Sequence, residues 1–153
     1  MKSKEDTPLR GSRVVIGSIG DDIHVVGITI LAHALRNAGC EVIQLGIQTP
    51  AEEFIATTIA EDADAMFISS SNGHAAMFCE TLRDDLVKAG ASDVVLYAGG
   101  NLAVGADALW EDTEKRMTKM GFDRVFPPRT QPQTAITALV GDLSKKGRGN
   151  RYD

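Results

Sequence analysis

Five short apolar runs, separated by longer amphipathic stretches, constrain this chain more than any other feature. The runs are RVVIGSI (13–19), EVIQL (41–45), DAMFIS (64–69), DVVLYA (93–98) and RVFP (124–127). Most are apolar at successive positions, the pattern of parallel strands covered on both faces. The stretches between them, VGITILAHALRNAG, PAEEFIATTIAEDA, AAMFCETLRDDLVKAG and ADALWEDTEKRMTKMG, read as helices, and a last helix is expected within QPQTAITALVGDLSKK. Three helices run into a glycine, at Gly39, Gly90 and Gly121, which takes the left-handed conformation past a last turn without steric penalty. Thr49 is expected to cap the second helix, with Pro50 in its first turn, where a missing amide hydrogen costs nothing. The expectation is an α/β fold: a flavodoxin-like (Rossmann-like), doubly wound sheet of five parallel strands in the order 2-1-3-4-5.

A length of 153 residues suits one domain. The expected limits are a flexible N-terminal segment over 1–12, the folded domain over 13–143 and a flexible basic tail over 144–153. In that tail, KKGRGNRYD, glycine and charge alternate without an apolar period. The formal net charge of -5 argues against a nucleic-acid partner, which needs a basic face. No apolar run approaches the ~20 residues of a membrane span, and the opening MKSKEDTPLRGS lacks the apolar core of a secretory signal. Cys40 and Cys79 lie far apart and outside any Cys-x-x-Cys pair, so reduced, buried thiols in a cytoplasmic protein are expected.

Open parallel sheets bind ligands outside the carboxyl ends of their strands. Those ends read GDDIH, GIQTP, SSSNGH, GGNLAVG and PPRT in chain order, and three of the five are built from small residues. Such loops let a large planar ligand approach the backbone. In the first, Asp22 and His24 have a spacing at which a carboxylate can receive one imidazole proton and leave the other nitrogen as an oriented lone pair. Gly27 leaves space beside the ring. A solvated histidine beside acids is the plainer reading, and the spacing leaves both open.

The remaining histidines, His33 and His74, do not complete a zinc set of three or four ligands. One histidine with one carboxylate suits an axial ligand to a metal already held by a macrocycle. SSSNG contains no Gly-x-Ser-x-Gly elbow, which speaks against a serine hydrolase. AGGNLAVG carries no Walker lysine and does not match Gly-x-Gly-x-x-Gly, and Gly99-Gly100 alone could be a tight turn.

Together, Asp22-Ile23-His24-Val25-Val26-Gly27, Ser69-Ser70-Ser71 and Gly99-Gly100 resemble the Asp-x-His-x-x-Gly, Ser-x-Leu and Gly-Gly signature of cobalamin-binding domains. In that family the histidine replaces the cofactor's own dimethylbenzimidazole as lower cobalt ligand, and the displaced nucleotide tail enters a deep pocket. NAGCEVIQLG, GGNLAVG, MGFDRVFPP and PPRTQPQT extend the resemblance to the small, sigma-type subunits of glutamate mutase (methylaspartate mutase), over roughly Val14 to Thr137. Ser71 stands where the family motif has leucine, and SNGH where Leu-Tyr-Gly-Gln often follows. That departure bears on affinity and substrate rather than on the cobalt ligand.

The resemblance implies adenosylcobalamin as cofactor, His24 on cobalt and Asp22 on the other imidazole nitrogen. Asp21, Ile23, Val25 and Gly27 would complete the contacting loop. Ser69, Ser70 and Ser71 would line the tail pocket, with Gly99, Gly100, Asn101, Leu102, Ala103, Val104 and Gly105 wrapping the tail on its other side. It also implies a partner, a large barrel-type subunit that binds glutamate, in a complex of two small and two large chains. The pair would be an isomerase that converts glutamate to 3-methylaspartate by radical rearrangement. No arginine cluster or acid–base pair stands out in this chain, so no catalytic residue and no activity of its own are expected. One rival is a corrinoid carrier for methyl transfer, which usually has a helical cap where this chain has only about a dozen residues before its first strand. Another is the cobalamin subunit of a mutase acting on a different acid. A receiver module would need an aspartate after the third strand, where SSSNG offers none.

Overall fold

The computed structural model describes residues 6–20, 26–70, 75–100, 102 and 110–146. Its strands are β1 (Arg13–Ile19), β2 (Glu41–Thr49), β3 (Ala65–Ser70), β4 (Val95–Gly100) and β5 (Arg124–Val125). They pair in the order β2-β1-β3-β4-β5, every neighbouring pair parallel, as the alternation of runs required. The helices among the described residues are α1 (Val26–Asn37), α2 (Ala51–Ala60), α3 (Ala75–Phe78), α4 (Leu82–Lys88), α5 (Trp110–Lys119) and α6 (Pro132–Lys145).

Successive strand residues point to opposite faces, so each continuous apolar run feeds two cores. Val14, Ile16, Phe67 and Tyr97 pack with Leu35 of α1 and Leu139 of α6. Val15, Met66, Ile68 and Leu96 pack on the other face with Phe54 of α2, Leu86 of α4 and Met117 of α5. Gly39, Gly90 and Gly121 all have positive φ, +94°, +83° and +109°, as helix-ending glycines should.

Three local expectations change. β2 runs on to Thr49, because the register against β1 shifts beyond Ile16 and Gly46 takes φ +90°, which lets the edge strand bulge and continue. Thr49 is therefore a buried strand end whose hydroxyl faces the Ile47 carbonyl at 3.4 Å, and Pro50 occupies the cap position of α2. The third helical stretch divides into α3 and α4. β-branched Thr81 precedes the second piece, its hydroxyl donating to Asp85 Oδ2 at 3.1 Å. β5 is only two residues long, since Pro127 and Pro128 bring no amide hydrogens to a ladder.

Candidate functional site

A pocket of about 440 Å³ opens at the carboxyl ends of β1, β3 and β4, between α1 and the loop joining β5 to α6. That volume lies within the roughly 300–1,000 Å³ typical of small-molecule sites. Ile16, Phe67 and Tyr97 form its floor, Ile28 and Leu31 its α1 wall, and Phe126 and Pro127 belong to the opposite wall. The aromatic rings touch in sequence. Phe67 and Tyr97 have centroids 5.1 Å apart, and Phe126 meets Tyr97 edge-on at 5.3 Å. The strands supply this apolar floor because the runs that bury the α1–α6 core end at the pocket.

Glycines give the pocket its depth. A Cβ built on Gly27 would meet nothing within 4 Å, and one on Gly99 would find only Phe126 Cβ, at 3.8 Å. At Gly100, with φ +97°, a Cβ would overlap the Ser70 carbonyl oxygen. Packing at the β3–β4 ends thus demands glycine at Gly100, whereas Gly27, an exposed member of the lining, has room for a side chain.

The electrostatics are sparse. Tyr97 donates its hydroxyl to Asp142 Oδ2, and Arg124 binds the same carboxylate through Nε and Nη2 at 2.7 and 3.1 Å. The Arg124 hydrogen bond holds the Asp142 carboxyl below its ordinary range, while burial, reinforced by Asp142, pushes the Tyr97 hydroxyl up. Tyr97 is therefore a neutral donor. Arg129 is the one charged side chain among the described residues that line the pocket.

Of the residues singled out from the sequence, Gly27, Ser69, Gly99 and Gly100 meet in this one cavity. Ser70, one step along β3, is fully buried and does not line it. The pleat turns the Ser69 and Ser70 side chains to opposite faces of the sheet. Leu102 is buried in the core on the α2–α5 face. Asp21, Asp22, Ile23, His24, Val25, Ser71, His74, Asn101, Ala103, Val104 and Gly105 lie outside the described residues. His33 is exposed on α1, and no cluster of three metal-ligating side chains occurs among the described residues. Sequence reasoning placed PPRT at a strand end but gave it no role. Phe67 and Tyr97 fell within apolar runs and were not singled out, yet they belong both to a core cluster and to the pocket lining.

Residues 12–136 match the family model described as B12 binding domain. The chain is 52% identical over 130 residues to glutamate mutase sigma subunit 1 of Haloarcula marismortui, covering 85% of each. It is 45% identical over 130 residues to the glutamate mutase sigma subunit of Carboxydothermus hydrogenoformans, covering 85% of this chain and 94% of that one. Among solved structures it is similar to a cobalamin-binding protein from Desulfitobacterium hafniense, with TM-score 0.69 and 18% identity over 86% of this chain and 58% of that chain. A CheY-like protein from Pseudomonas aeruginosa also matches, with TM-score 0.62 and 19% identity over 93% of this chain and 96% of that one. At such identities the structural likeness speaks for the fold alone, which binders and signalling modules share. The sequence likeness goes further: the chain belongs to the B12-binding domain family, among the glutamate mutase sigma subunits.

Proposed function

We propose that this chain is the cobalamin-carrying subunit of a two-component, adenosylcobalamin-dependent glutamate mutase, and that the pocket takes the cofactor's nucleotide tail. The observation that carries the reading is the cradle at Gly27 and Gly99, open to a cavity with apolar and aromatic walls. A flat benzimidazole needs such walls, and its ring nitrogen needs one donor. Ser69, half-buried in the lining, supplies a hydroxyl. The residues present therefore fit the tail.

With the tail withdrawn from cobalt, His24 is the lower ligand in this reading and Asp22 fixes its tautomer. That assignment rests on the Asp22-x-His24-x-x-Gly27 motif, whose last member lines the pocket. Asp21, Ile23 and Val25 on one loop, and Asn101 to Gly105 on another, are assigned to the rest of the cofactor contact. Bound adenosylcobalamin supplies radical chemistry for a carbon-skeleton rearrangement. This chain's residues hold the cofactor, orient it and help keep water from its reactive face.

The substrate site belongs to a large, barrel-type partner in a two-plus-two cytoplasmic complex, with glutamate and 3-methylaspartate as the reacting pair. Ser71 and His74, at the departure from the family motif, tune the contact between subunits. The test is to supply adenosylcobalamin and glutamate to the chain alone and with its cognate large subunit, following 3-methylaspartate by NMR. Turnover is expected only with both chains. Robust turnover by this chain alone would sink the carrier reading, and activity with the partner on another acid would keep the architecture and change the substrate.

A further inference from the structure

The loop from β5 to α6 carries an unusual backbone position. Arg129 has φ +68°, in the left-handed region that few non-glycine residues enter and that favours short polar side chains when they do. The turn around it is closed: Thr130 donates its hydroxyl to the Pro127 carbonyl at 2.6 Å and its amide to the same oxygen at 3.3 Å. Glycine would take this conformation without strain. Instead the turn holds an exposed arginine, the one charged side chain among the described residues that line the pocket.

Arg129 also differs from the arginines that brace the fold. Arg13, Arg83 and Arg124 each bond a carboxylate, of Glu41, Asp123 and Asp142 respectively. The Arg129 guanidinium has no hydrogen bond or ion pair with any described residue. A strained backbone position that presents an unpaired cation to a cavity is the pattern of a ligand contact rather than of a structural brace.

We infer that Arg129 is the pocket's anion-recognition residue and that it binds the phosphodiester of the cobalamin nucleotide tail. The inference rests on the tail-pocket reading and adds a specificity element to it. A cobalamin tail joins the benzimidazole ribonucleoside to the corrin side chain through one phosphodiester, the tail's only full charge. A base seated among Phe67, Tyr97 and Phe126 brings that anion with it, and the described lining residues offer it a single cation. Arginine suits the task because its fork matches two phosphate oxygens and it stays charged at every working pH. Its consequence is discrimination: corrinoids that end before the phosphate gain nothing from Arg129.

The test is cobalamin titration of the full chain as wild type, Arg129→Gln, Arg129→Lys and Arg129→Gly, over a salt series, beside titration with cobinamide, which lacks the phosphate and nucleoside. Arg129→Gln should weaken cobalamin binding by about fivefold at low salt, a magnitude suited to a part-exposed ion pair, and the gap should narrow as salt rises. Arg129→Lys should fall between the two. Arg129→Gly should melt above wild type, relieved of strain, yet bind like Arg129→Gln, which separates recognition from stability. Cobinamide should not distinguish wild type from Arg129→Gln. Equal cobalamin affinity of wild type and Arg129→Gln at every salt, or an equal loss for cobinamide, would overturn the inference while leaving the tail pocket standing. Failure of the wild-type chain to bind cobalamin at all would overturn both.

Discussion

The hydroxyl of Tyr97, on β4, donates to Asp142 Oδ2, on α6, and Asp142 also takes Arg124 of β5 in a two-pronged ion pair. The Tyr97 ring lines the pocket floor, while Pro132 and Ala135 at the start of α6 line its side. One carboxylate thereby fixes two surfaces of the cavity against each other. It is a half-buried acid with a structural task beside the pocket.

That carboxylate predicts an acid response. Asp142 binds its proton less readily in the folded chain than its ordinary value of 3.8, chiefly because of the Arg124 hydrogen bond. Its stabilising contribution is therefore complete above that value and is lost as the pH falls toward the lower folded one. Wild type should lose melting temperature more steeply than Asp142→Asn between about pH 5 and pH 3. At neutral pH Asp142→Asn should cost about 1–3 kcal/mol, since Tyr97 and Arg124 lose their charged partner. Parallel melting profiles for the two proteins in acid would remove Asp142 from the account.

Two glycines should separate folding from binding. Gly100→Ala puts a methyl on a left-handed residue against the Ser70 carbonyl, and should cost at least ~2 kcal/mol in thermal or urea unfolding. Gly27→Leu places its side chain in open space in the first turn of α1, so unfolding should change by no more than about 1 kcal/mol. Its cobalamin affinity should nonetheless fall sharply, because the cradle is filled. Unchanged affinity in Gly27→Leu would mean that the tail goes elsewhere.

The sheet was legible because continuous apolar runs of strand length, separated by helix-length patterns, admit few solutions besides a parallel sheet. The glycines at 39, 90 and 121 marked helix ends for the same local reason that gives them positive φ. Thr49 was misplaced because nothing local announces that an edge strand will continue through a glycine bulge at Gly46. The site was half legible. Small residues at strand ends pointed to Gly27, Ser69 and Gly99, but Tyr97 and Phe67 are indistinguishable from core in a one-dimensional pattern, since one face of each packs like core. Ser70 followed Ser69 in sequence and parted from it in space, a consequence of the two-residue strand period.

The cysteines should be slow to react. Cys79 is fully buried, and burial pushes its thiol up to about 12. Cys40 is pushed up to about 12 as well, by burial first and then by Asp64 and Glu41. Thiolate is the reactive form, so alkylation at about pH 8 should be at least a hundredfold slower in the native chain than in urea. The two thiols sit in cores on opposite faces of the sheet, so neither can reach the other to form a disulfide. Mass spectrometry of briefly alkylated native protein should find both unmodified. Rapid labelling of either in the native state would contradict its burial.

His24 carries the sharpest prediction. Gly27 lines the pocket, and the motif sets His24 three residues before it, on the segment that leads from β1 into α1. A base held in the pocket cannot also sit on cobalt, which leaves the lower position open to a ligand from the protein. The imidazole of His24, with Asp22 two residues earlier to accept its second proton, is that nitrogen in the proposed reading. Reduced Co(II) cobalamin bound to the chain should then show nitrogen hyperfine splitting that follows 15N-histidine labelling of the protein. His24→Gly should abolish that dependence, and Asp22→Asn should keep it while weakening binding or activity about 10–100-fold. The labelled spectrum decides between the two bases. If 15N-histidine left the splitting unchanged, the cofactor's own base would still be on cobalt, and the pocket between α1 and α6 would need a different occupant.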